Sequence, residues 1–162
     1  MNTLNTIKTG DLIVRTKGLV STHYMVYLGY VGNIEMVAEN QVGCGVRIVS
    51  LLEALANNRI KRIESFIGTP DQRKHVFAKV KQYVGKAYDL IHFNCEHFAR
   101  MISNGKIESK QVQNSAVATG MVGIGWMAFT KSKELKLAGI ILLLLAFIVG
   151  LSQNYLRKTA TA

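Results

Sequence analysis

Apolar and polar positions change their spacing several times along this chain, and each change predicts an element. Gly10-Asp11-Leu12-Ile13-Val14-Arg15 reads as a turn leading into a short strand. His23 to Tyr30, rich in β-branched and aromatic residues, is a second strand. Gly32-Asn33 is a hairpin signal, so Ile34 to Asn40 returns beside it. Val42-Gly43-Cys44-Gly45 is a loop, and Val46 to Val49 is another strand. Ser50, with Glu53 three residues on, forms a capping box that starts a short helix to about Asn57. Arg59 to Phe66 alternates basic with apolar residues as a strand does. Thr69-Pro70-Asp71-Gln72 then opens a helix, with Val76, Phe77, Val80 and Tyr83/Val84 on one face and Gly85 as its stop. Asn94 caps a further helix whose inner face is Phe98, Ala99 and Ile102 and which ends at Gly105. The pattern is α+β: a small antiparallel sheet packed on helices.

Past that domain the period disappears. Residues 137–156 carry no charge, and Leu137 to Leu151 is almost continuously aliphatic. As a helix this stretch is about 30 Å long, the thickness of a bilayer's hydrocarbon core. Lys131, Lys133 and Lys136 precede it, and Arg157 and Lys158 follow it as end anchors. The three lysines place the domain side in the cytosol. The expected organisation is a domain over 1–113, a glycine-rich apolar interfacial segment and basic linker over 114–136, a transmembrane helix over 137–156, and a short basic tail over 157–162. This makes a single-pass anchor. Ala116 and Gly120, four residues apart, suit the 114–136 segment to close helix packing.

Charge and cysteine content narrow the partners. The 162 residues carry a formal net charge of +10, which suits nucleic acid or an anionic bilayer face. The apolar tail selects the bilayer, and no aromatic–basic interleaving marks a nucleic-acid surface. The two cysteines, Cys44 and Cys95, have no CxxC spacing, so neither a disulfide framework nor a cysteine zinc site is expected. No metal and no cofactor is implied. Met1 to Lys8 lacks the pattern of a signal peptide. A reducing compartment, in which an unpaired thiol survives, fits both facts.

Cys95 follows the helix cap Asn94, so it falls in a first turn, where orphan N–H groups and the helix dipole favour an anion. Its own backbone N–H is placed to donate to an oxyanion at an attacked carbonyl. The string Phe93-Asn94-Cys95-Glu96-His97-Phe98, preceded by Tyr88-Asp89-Leu90, resembles the signature of the lecithin–retinol-acyltransferase-like family, which includes small phospholipase A/acyltransferases. Gly10-Asp11-Leu12-Ile13, His23-Tyr24-Met25-Val26-Tyr27-Leu28-Gly29 and Ser109-Lys110-Gln111-Val112 match in order. The resemblance covers roughly residues 10–113 and implies a permuted papain-like, NlpC-like fold, with the histidine before the cysteine.

By that resemblance Cys95 is the nucleophile and His23 the general base. Family members commonly use a second polar residue, often histidine, on the strand after the hairpin to orient the first imidazole. Here that stretch reads Glu35-Met36-Val37-Ala38-Glu39-Asn40, without a histidine. Aligning the family's apolar pair with Val37-Ala38 places Glu39 there, and an ungapped alignment places Glu35. The two share a strand face, so alternation cannot separate them; Glu39 is favoured, with Glu35 and Asn40 as alternatives. Tyr88 is a candidate donor to the oxyanion or a packing residue. His97, two residues beyond Cys95, reads as structural; His75 reads as a solvated or packing residue, and His92 as a rival to His23. The resemblance implies a membrane-anchored thiol acyltransferase or phospholipase A-type hydrolase acting on phospholipid acyl esters through an acyl thioester, with the acceptor open. A papain-like cysteine peptidase or amidase, and a non-catalytic membrane-associated interaction module, are the alternatives.

Overall fold

A computed structural model describes residues 7–18, 21–105 and 109–159. Five strands form one sheet: β1 (Leu12–Lys17), β2 (Ser21–Val31), β3 (Ile34–Gln41), β4 (Gly45–Ser50) and β5 (Ile60–Glu64). Their order across the sheet is β4-β3-β2-β1-β5, and every neighbouring pair is antiparallel. Successive hairpins build β1 to β4 as a meander, and β5 returns to the free edge of β1. The other edge is covered by irregular chain: Val46 N–H donates to the Lys86 carbonyl at 2.9 Å, and Gly85 N–H to the Val46 carbonyl at 2.8 Å. Gly45 permits this approach. Its φ is +71°, and a Cβ there would lie 2.5 Å from the Lys86 oxygen.

Helix α1 (Leu51–Leu55) starts as the sequence predicts, with Ser50 Oγ accepting from Glu53 N–H. Alternation then gives the sheet two buried faces. One carries Leu12, Val14, Tyr24, Val26 and Ala38, against Phe98, Ala99 and Ile102 of α4 (Cys95–Asn104). The opposite face carries Ile13, Met25, Tyr27 and Val37, against Leu51 and Ala54 of α1. Phe98 alone, fully buried, contributes about 1.5–3 kcal/mol of apolar burial.

The helix expected from Pro70 onward is two short helices, α2 (Pro70–Lys74) and α3 (Val76–Lys81), separated at His75. Thr69 makes the full capping box with Gln72. Val76 and Val80 enter the core and Tyr83 packs against it, whereas Phe77 and Val84 stay exposed. Two short helices with one buried edge bury less than one continuous amphipathic helix would.

The chain divides into two compact units, Met1–Ile107 and Glu108–Ala162. The second holds α5 (Lys110–Phe129) and α6 (Lys133–Thr159), which run antiparallel against one another. Their contact rests on small residues. A Cβ on Gly123 would lie 2.7 Å from the Gly139 carbonyl oxygen, and one on Gly120 would lie 3.6 Å from Ala146 Cβ. Within α6, Lys133–Tyr155 is long and apolar enough to cross a membrane, with 6% of its most apolar window buried.

Candidate active site

The segment before α4 is locked by side chain to backbone bonds. Asp89 Oδ1 accepts from the N–H groups of Ile91 and His92, both at 2.8 Å, and Asp89 pairs with Phe93 in an antiparallel bridge. Asn40 Nδ2 reaches from β3 to the Phe93 carbonyl at 2.6 Å. Asn94 Oδ1 accepts from Glu96 and His97 N–H, each at 3.0 Å, while its Nδ2 donates to the Leu90 carbonyl at 3.0 Å. His97 Nδ1 completes the cap by accepting the Asn94 N–H at 3.3 Å. The first turn of α4 is therefore held from both sides of Cys95.

The rest of α4 is pinned by a buried polar network. Fully buried Glu96 accepts from Arg100 Nε at 3.0 Å, Arg100 pairs with Glu64 of β5 at 3.3 Å, and Tyr24 of β2 takes Arg62 at 2.7 Å. Such groups are tolerated inside because each finds a partner.

Cys95 is buried and not in a disulfide, whereas Cys44 is exposed. Cys95 stands close enough to His23 for its side chain to act on the imidazole, and His23 Nε2 lies 2.6 Å from Glu39 Oε2. With Nε2 taken by Glu39, Nδ1 is the ring nitrogen left for the thiol. Burial lowers the His23 pKa, but hydrogen bonds and charge from Cys95 and Glu39 outweigh it and hold the imidazole above its ordinary value. Burial likewise raises Glu39, and His23 and Arg47 outweigh that, leaving the carboxyl below its ordinary value.

Of the residues singled out in the sequence, Cys95, His23 and Glu39 meet here. Tyr88 stands close enough for the Cys95 charge to act on its phenol, which burial first, then Cys95 and Asp89, push up to about 12. It is thus a neutral O–H donor at ordinary pH. Glu35 lies far along β3, opposite Tyr30, and accepts from the Tyr27 hydroxyl at 3.0 Å. Asn40 serves the Phe93 carbonyl rather than the imidazole. His92 pairs with Asp89 at 3.2 Å and His75 with the Asp71 carbonyl at 2.9 Å, both in exposed positions. Among the described residues no cluster of His, Cys, Asp or Glu is placed to hold a metal ion.

Sequence reasoning missed Arg47. It sits directly opposite Glu39 in the β3–β4 pair and donates to Glu39 Oε1 through Nε at 2.9 Å and Nη2 at 2.6 Å. The Val42–Gly45 loop expected between the two strands bounded which residues could face each other, but the observed strands leave a turn of only 42–44, and that register sets Arg47 opposite Glu39. Asp11 of the Gly10-Asp11-Leu12-Ile13 string is structural. Its carboxylate takes Lys8 N–H, Phe66 N–H and Arg73, tying the start of β1 to the chain after β5 and to α2.

A family model described as lecithin retinol acyltransferase matches residues 5–108. Among characterised proteins, Phospholipase A and acyltransferase 4 of Homo sapiens is 26% identical over 132 residues, covering 70% of this chain and 80% of the relative.

Proposed function

The chain belongs to the lecithin retinol acyltransferase family, and we propose that it is a membrane-anchored, cysteine-dependent acyltransferase or phospholipase A-type hydrolase acting on phospholipid acyl esters. The observation that carries this reading is the placement of His23 between the Cys95 thiol and the buried Glu39 carboxylate. The similarity to a phospholipase A and acyltransferase supports the substrate class.

The chemistry follows from the geometry. His23 Nδ1 takes the thiol proton as Cys95 Sγ attacks the ester carbonyl. The tetrahedral oxyanion accepts from the Cys95 backbone N–H at the start of α4, with the Tyr88 hydroxyl as a second donor. Collapse breaks the bond between carbonyl carbon and alkoxide oxygen. The departing lysophospholipid takes the proton from His23, leaving an acyl thioester on Cys95. Water then completes hydrolysis, or an amine or alcohol completes transfer. Glu39 orients the imidazole and balances its positive charge, the part the carboxylate plays in a Ser-His-Asp triad.

Helix α6 anchors the chain in the bilayer where the substrate is concentrated. Lys131, Lys133 and Lys136 precede its uncharged run, residues 137–156, and mark the side from which that run enters as cytosolic. In sealed vesicles, protease that removes an N-terminal tag and leaves a C-terminal tag intact would establish the single pass. Removal of both would make α5 and α6 a hairpin with both ends on one face, which their glycine contact allows.

The deciding experiment is intact mass measurement of detergent-solubilised protein after exposure to a diacyl phospholipid. Wild type should gain the mass of one acyl chain, and Cys95→Ala should not. No adduct, with Cys95 still readily alkylated, would turn the reading towards a peptide or amide substrate. No adduct and an inert thiol would leave a non-catalytic membrane module.

A further inference from the structure

Arg47 lies outside the strings that carry the family resemblance, yet it closes the row of side chains that ends at Cys95. Its guanidinium gives Nε and Nη2 to Glu39 Oε1, Nη1 to Glu53 Oε1 at 2.9 Å, and Nη2 also to Gln41 Oε1 at 2.7 Å. The other oxygen of Glu39 faces His23. Glu39 is fully buried, while the Arg47 side chain is 30% exposed at the rim. Both oxygens of the carboxylate are thus committed, in opposite directions.

We propose that Arg47 is a positioning residue of the active site: it fixes the direction of the Glu39 carboxylate and supplies the counter-charge that keeps Glu39 an anion while His23 is neutral. This rests on the reading of Cys95 and His23 as nucleophile and base. A base must be neutral before it takes a proton. A buried carboxylate whose one neighbour is a neutral imidazole is costly. It lowers that cost by holding the imidazole protonated or by taking a proton itself, and either outcome spoils the site. Arg47 removes the conflict, because the carboxylate is already paired on its far oxygen. The proton passing from Cys95 Sγ to His23 Nδ1 then leaves Glu39 and Arg47 unchanged.

The ionisable groups facing Glu39 are His23 from β2 and Arg47 from β4. Glu53 of α1 is reached through Arg47, and Cys95 of α4 through His23. Without that positive charge Glu39 takes up a proton and the imidazolium loses its partner. The thiol beyond it becomes harder to ionise, so the effect of Arg47 travels through Glu39.

The test uses the full chain in detergent micelles, in a Cys44→Ser background so that Cys95 is the thiol followed. Iodoacetamide alkylation is timed across roughly pH 5 to 10, alongside phospholipid turnover and thermal unfolding. Arg47→Gln should move the alkylation midpoint to higher pH by about one unit and slow turnover about tenfold. Arg47→Lys, which keeps the charge but not the two-pronged grip, should recover most of that midpoint. With Glu39→Gln already present, adding Arg47→Gln should move the midpoint no further.

An unmoved midpoint in folded Arg47→Gln would overturn the proposal, as would a further shift on adding Arg47→Gln to Glu39→Gln. The second comparison stands even if Arg47→Gln alone fails to fold, since the double variant has no buried carboxylate left unpaired. Failure of the underlying reading looks different. Cys95 in the otherwise native chain would resist alkylation throughout, or Cys95→Ala would turn over lipid undiminished, before any Arg47 variant is made.

Discussion

Glu39 lies opposite Met25 in the β2–β3 pair, two residues along from His23, and sends Oε2 to within 2.6 Å of the His23 Nε2. That bond turns a strand histidine into an oriented one. It also ties the protonation of the site to the stability of the sheet.

Glu39→Gln keeps the shape of the side chain and removes its charge. Turnover of phospholipid should fall by about 10²-fold, measured as kcat. His23, followed by NMR of its ring protons, should give up its proton at lower pH than in wild type, because one of the groups holding it protonated is gone. An unchanged kcat would remove Glu39 from the mechanism.

The same pair predicts how stability varies with pH. His23 is held above its ordinary value of 6.5, so its contribution is complete below that value and is lost as pH rises through the higher folded value. Glu39 is held below its ordinary value of 4.5, so its contribution is present above that value and is lost as pH falls through the lower folded one. The difference in urea stability between wild type and Glu39→Gln, both in micelles, should therefore be greatest between pH 4.5 and pH 6.5. It should narrow on either side. A difference that is flat from acid to alkaline pH would show that the pair is not linked to folding.

Asn94→Ala removes a cap that receives two backbone N–H groups and donates to the Leu90 carbonyl. The expected cost is about 1–2 kcal/mol of stability, read from chemical denaturation. Turnover should fall further than the lost folded fraction explains, because the same bonds hold the first turn that carries Cys95. Asn94→Asp restores the acceptor and should recover most of the stability.

The α5–α6 contact is open to a direct test. Gly120→Cys with Ala146→Cys, in a Cys44→Ser, Cys95→Ala background, should form a disulfide on mild oxidation, since a Cβ at Gly120 lies 3.6 Å from Ala146 Cβ. Gly123→Val should suppress it, because its side chain meets the Gly139 carbonyl oxygen. Cross-linking that survives Gly123→Val would mean that the two helices do not meet at these glycines.

Much of the architecture could be read from the chain because it is encoded locally. Ser50 with Glu53, Thr69 with Gln72 and Asn94 each satisfy orphan N–H groups within three residues, and Gly32-Asn33 turns a hairpin by its own backbone preference. The uncharged run of α6 likewise needs no partner to be recognised. The break at His75 was not legible, since the cap at Thr69 to Gln72 opens one helix, Val76 and Val80 carry helical spacing beyond it, and no glycine or proline lies between them.

Which polar residues meet is a matter of strand register and packing. Glu35 and Glu39 share a strand face, and alternation cannot choose between them. Four residues along a strand is roughly 13 Å, however, and the pairing register, with its irregularity between Tyr27 and Gly29, sets Glu39 near His23 and Glu35 beside Tyr30. Arg47 entered the same way, through the β3–β4 register. The strands, the capped helix that carries Cys95 and the apolar run of α6 are written in the chain, because caps, turns and apolar runs act over a few residues. The row from Arg47 through Glu39 and His23 to Cys95 spans three strands and a helix, and its order exists only once the sheet has chosen its register.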